Sequence, residues 1–114
     1  MSWLTGWALP SWNRTRLASL VDRVAARSQN AVYQRVKDRL ASMNVHQARG
    51  YIRARAAQVL EREMGIVMAE VTDLSPLQLE AILDGARHRV VRRLMLENVR
   101  LQQTVDRRQR RRAA

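Results

Sequence analysis

The sequence predicts an all-α fold, an elongated bundle of about three long helices that self-associates. Three observations predict it. Apolar residues recur every three or four positions along most of the chain, which lines one face of a helix rather than one face of a strand. Only one short stretch is β-branched enough to form a strand, and a lone strand has no partner ladder. The apolar residues on offer are mostly Ala, Val, Leu and Met, with no Phe. Such side chains fill little volume per residue. Helices of roughly thirty residues, each about 45 Å long, therefore make a slim rod with apolar surface left for a second copy.

The chain has 114 residues, enough for one domain and too few for a second core. Residues 1–12 read as a Trp-rich N-terminal segment, 13–105 as the helical domain, and 106–114 as a basic tail expected to be disordered. In the first helix, Leu17, Leu20, Val21, Val24, Ala31, Val32, Val36, Leu40 and Met43 keep one stripe from Asn13 to Met43, with no Gly or Pro between them. Pro10 and Ser11 are its start signal. A break follows over Ser42 to Gln47.

The second helix begins near Val45, with Ile52, Ala56, Val59 and Leu60 inward and Arg49, Arg53, Arg55 and Arg62 outward. Gly65 complicates its end, because a Gly before an apolar residue is a common C-terminal signature and residues 66–72 are β-branched. The helix is expected to run to about Val71, kinked at Gly65, with a strand paired across a dimer as the alternative. The third start is sharper. Ser75, Pro76 and Gln78 form a capping box with Pro where the missing N–H costs nothing. Leu79, Ile82, Leu83, Ala86, Val90, Leu94, Leu101 and Val105 carry this helix onward.

Twenty Arg and one Lys face ten carboxylates, a net charge of +11. That surplus repels itself unless a polyanion or counterions offset it. Residues 1–60 carry ten basic and two acidic side chains, residues 61–99 five and seven, and residues 100–114 six and one. Positive regions thus flank a mildly acidic middle. The absence of Cys removes disulfides, thiolate nucleophiles and cysteine-based metal sites. No apolar run is long enough to span a bilayer and no signal-peptide pattern opens the chain, so a cytoplasmic location is expected.

Four constellations bear on function. The run Arg107, Arg108, Arg110, Arg111 and Arg112 offers fork-shaped donors suited to phosphates. Arg49, Arg53 and Arg55 form a second basic region around Tyr51, a candidate stacking face. Val91, Leu94, Asn98, Leu101 and Val105 fall at alternating a and d heptad positions, a candidate dimer seam in which Asn98 would fix the register. Its rival is an ordinary bundle helix. Trp3, Trp7 and Trp12, all the tryptophans in the protein, suit either an anionic membrane surface, a partner's groove, or closure of the bundle end.

Glu80, Asp84 and His88 share one helical face, and Glu63 and Glu70 could add to them, but the pattern fits an exposed charge ladder better than a metal site. No nucleophile and base pair, Gly-rich phosphate loop or cofactor motif is present, and no enzyme activity, cofactor, metal or small-molecule substrate is expected. No base-reading module is recognisable either. The expected partner is nucleic acid, held through sequence-independent phosphate contacts by a homo-oligomer. The alternatives are an anionic membrane surface anchored by the tryptophans, and a structural place in a larger protein assembly.

Overall fold

The computed structural model describes residues 11–113, with side chains from Arg14 onward. Three helices account for nearly all of it: α1 (Ser11–Leu40), α2 (Val45–Glu70) and α3 (Pro76–Ala113). Each packs against the other two, and no strand occurs among the described residues. The chain runs up, down and up again, so α1 and α3 are parallel and α2 opposes both. The bundle is a rod with principal extents of 68 × 24 × 21 Å.

Each turn is fixed by local chemistry. α1 stops at Leu40, three residues before the apolar stripe ends, because Asn44 caps α2 and must hold an extended backbone to do so. Its side chain accepts from the Gln47 N–H at 2.8 Å, while the Asn44 N–H donates to the Gln47 side chain at 3.1 Å. The break expected over Ser42 to Gln47 is therefore a capping box as well as a helix end. At α3 the expected box is present, with the Gln78 N–H donating to Ser75 Oγ at 3.1 Å and the Ser75 N–H donating to the Gln78 side chain at 2.9 Å.

The strand alternative for residues 66–72 fails. α2 continues through Gly65, which keeps an ordinary negative φ, to Glu70. Val67 is buried in the core, and burying an aliphatic side chain gains about 1.5–3 kcal/mol, more than the few tenths of helix propensity that a β-branched residue loses.

The core is aliphatic, as a Phe-free chain requires. Val24, Val32 and Val36 of α1, Ile52, Leu60 and Val67 of α2, and Ile82 and Val90 of α3 are its largest fully buried apolar side chains. Small residues bring the helices close. A Cβ added at Gly85 would sit 3.3 Å from both Val21 methyl carbons, so this glycine sets the spacing of α1 and α3.

Two boundaries differ from expectation. The tail expected to be disordered from Asp106 stays helical to Ala113. Arg and Gln are good helix formers, elongation adds one hydrogen bond for each residue fixed, and Arg110, Arg111 and Arg112 complement the negative end of the helix dipole. The core stops well short of that end. Asn98 is the last buried residue of α3, and residues 99–113 are all exposed, a helical extension about 22 Å long whose first turns run beside the end of α1. Trp3 and Trp7 lie outside the described residues, as does the side chain of Trp12.

Candidate functional site

The acidic side chains are concentrated toward one end of the rod, and ion pairs hold them there. Arg16 of α1 makes a bidentate contact with Asp73 in the α2–α3 connection, 2.8 Å to each carboxylate oxygen. That guanidinium holds the Asp73 carboxyl below the usual carboxylate range. Arg23 pairs with Glu70, Arg27 with Glu63 at 2.8 Å, and Arg89 with Asp22. All lie at the surface, Glu63 being the most covered of their carboxylates, and surface pairs of this kind add little to stability. Their importance lies in cancelling charge. Glu63, Glu70 and Asp84, considered above beside a metal, all face arginines instead, Asp84 through Arg87 one turn on.

The other end carries the surplus. Up-down-up topology brings the C-terminal part of α1, the N-terminal part of α2 and the C-terminal half of α3 together. The Tyr51 hydroxyl donates to the Arg35 carbonyl at 3.4 Å, joining α1 to α2. Lys37 and Ala41 face Leu101, Val105 and Gln109 across a groove. Residues 35–55 and 92–113 hold fourteen basic and three acidic side chains, a surplus of eleven, while the rest of the sequence holds seven of each. The protein's whole net charge therefore sits in one half of the rod, from the level of Arg93, which reaches Gln29 midway along α1, to the tip of α3, and the other half is neutral.

The predicted basic residues divide between two faces of this end. Arg49 and Arg53 line a groove of about 880 Å³ between α2 and α3, joined there by His88 and Arg92. Val45, Leu96 and Val99 give that groove an exposed apolar wall. Arg55 turns the other way. Its guanidinium lies over the Tyr51 ring at 5.4 Å, and Arg39 lies over the same ring at 6.0 Å. Tyr51, expected as an open stacking face for a base, is half-buried with two cations on its ring. Arg107, Arg108, Arg110, Arg111 and Arg112 occupy the tip of the α3 extension, all exposed. The structure adds Arg35, Lys37, Arg39, Arg92, Arg93 and Arg100, which the sequence analysis missed. Three-helix up-down-up packing was the signal that could have found them, since it folds the basic regions at 35–55 and 92–113 onto one end.

The candidate dimer seam is divided in the same way. Val91, Leu94 and Asn98 are buried by the chain's own helices, and only Leu101 and Val105, 47% and 50% exposed, remain open. A zipper along the full seam would have to pull α3 away from its own core. Heptad spacing alone does not separate these cases, because α1 and α2 accept the same stripe that a sister helix would.

Compared with known protein families, curated proteins and solved structures, the chain matches none of them. Fold and charge alone define what it is, an all-α three-helix rod with one neutral and one strongly basic end.

Proposed function

We propose that this protein binds nucleic acid through its basic end, gripping phosphates without reading sequence. The observation that carries the reading is the location of the surplus charge. Eleven uncompensated positive charges crowded at one end repel one another, and a polyanion with regularly spaced phosphates relieves that repulsion while releasing its own condensed counterions. A generic solubility role could be met by charges scattered along the rod, as on ordinary solvated surfaces. The cations here are instead nearly all Arg, whose planar fork suits phosphate oxygens better than an ammonium does.

The membrane alternative loses support from the same geometry. The Trp-bearing segment joins α1 at Ser11, at the neutral end, about 45 Å along the helix from Leu40. Arg16, the basic residue that follows the tryptophans in sequence and could have met lipid headgroups beside them, is engaged by Asp73.

The test is a salt titration of binding to a short labelled duplex, with anionic vesicles in parallel. For five phosphate contacts the affinity should fall about 500-fold between roughly 50 and 200 mM salt. Binding that barely changes over that range, or binding to vesicles alone, overturns the proposal.

A further inference from the structure

We infer that the nucleic acid is duplex DNA and that the helical extension of α3 lies in its major groove. The inference rests on the nucleic-acid reading above and concerns which form of nucleic acid fits the site.

Two features of residues 99–113 lead to it. The first is that this extension is a helix with no buried residue, so nothing in the bundle obstructs its outer surface. The second is how the charges are arranged around it. Leu101, Gln102, Val105, Asp106 and Gln109 line the groove that opens toward α1. Asp106 is the one acidic residue of the segment, and it lies on that side. At 3.6 residues per turn, Arg100, Arg107, Arg108, Arg110, Arg111 and Arg112 fan across an outer arc of about 200°. Gln103, Thr104 and, at the edge beside Arg112, Leu101 fall within this arc, and no carboxylate of the segment does.

An arc that wide matches some nucleic-acid surfaces and not others. A flat surface or a single strand meets one side of a helix, leaving arginines on the far side of the arc unpaired. A groove with phosphates on both walls meets the whole arc. The major groove of B-form DNA is about 12 Å wide and admits an α-helix whose diameter with side chains is about 10–12 Å. The corresponding groove of duplex RNA is deep and too narrow for this. The scarcity of exposed aromatic rings among the described residues of this end also disfavours a single strand, which is commonly held by stacking. Seated in the groove, the extension keeps Val105, Asp106 and Gln109 turned back toward the bundle. Arg49, Arg53 and Arg92 then remain for phosphates outside the groove.

The experiment uses the full chain and compares duplex DNA, duplex RNA and single-stranded DNA of equal length at one salt concentration. It is repeated with Thr104→Pro, which keeps every charge but breaks the extension, since proline has no N–H to donate and clashes with the Arg100 carbonyl. Because nothing beyond Asn98 is buried, the variant should melt with the wild type. The ratio of duplex to single-strand affinity, taken within each protein, is in any case insensitive to a loss of folded protein. The expected result is a preference for duplex DNA on the order of tenfold or more, the value of one well-placed contact, and its loss in Thr104→Pro. Equal binding to all three forms, a preference for RNA, or a DNA preference that survives Thr104→Pro overturns the inference and leaves the phosphate-binding reading intact. Failure to bind any of the three overturns both.

Discussion

Replacing Ser28 by alanine is expected to stabilise the protein. Ser28 lies one turn from both Val24 and Val32 on the core face of α1, is fully buried, and its hydroxyl has no hydrogen-bond partner. A hydroxyl taken out of water without a partner costs about 1–3 kcal/mol on the scale of protein mutations. Alanine removes that cost and adds up to about 0.5 kcal/mol of helix propensity. Against this stands the void left by one oxygen atom, smaller than the methyl-sized cavity that costs about 1 kcal/mol. The balance is a gain of about 1–2 kcal/mol. For a domain near this size each kcal/mol moves the melting temperature by about 4–8 °C. Urea and thermal unfolding followed by circular dichroism, each at two protein concentrations to expose any self-association, provide the assay. An unchanged m-value with a raised midpoint is the expected pattern. A loss of 1 kcal/mol or more would show that the hydroxyl has a partner in solution and refute the reasoning.

Gly65→Ala should also stabilise, by about 0.5–1 kcal/mol, since Gly65 is an exposed helix-interior residue with nothing near the position of an added Cβ; a destabilised variant would indicate a break in α2 there. Leu101→Gln combined with Val105→Gln should leave the unfolding free energy within about 0.5 kcal/mol of the wild type, because both side chains are exposed; a larger, concentration-dependent loss would reveal a dimer using the open part of the seam. The Arg16–Asp73 contact makes a pH prediction. The folded Asp73 carboxyl titrates below its ordinary value, so its stabilisation is fully present above about pH 4 and lost as pH falls through the lowered folded value. The stability difference between wild type and Asp73→Asn should therefore shrink as pH drops below 4, and a difference that grows there would contradict the ion pair. Arg16 is shifted upward by the same contact, so its share is lost only in strong alkali.

What could be read from the sequence is what depends on near neighbours. The start of α3 is encoded in four consecutive residues, Ser75 to Gln78, and the structure bonds them as expected. The helical stripes through Val24, Ile52 and Ile82 were legible because burial follows the 3.6-residue period. The end of α1 was less so, since Met43 continues the apolar stripe while the Asn44 cap prevents the helix from following it. The fate of Arg107 to Arg112 was hidden because composition describes an isolated segment, and here the segment is continuous with a long stable helix. Most of the candidate site was invisible for a different reason. Arg35, Arg39 and Arg100 are unremarkable surface arginines until the topology sets them beside Arg49, Arg53 and Arg92. Likewise, Tyr51 among arginines in sequence gave no sign that Arg39 and Arg55 would cover its ring.

The account depends on where the positive charge sits rather than how much of it there is, and two double variants of identical net charge separate the two. Arg49→Gln with Arg53→Gln removes two charges from the basic end, and Arg14→Gln with Arg62→Gln removes two from the neutral part of the rod. The dependence of log affinity on log salt should become shallower by about 1.8 in the first variant, at about 0.9 per phosphate contact, and stay at the wild-type value in the second. Equal reductions in both would contradict a binding surface confined to one end.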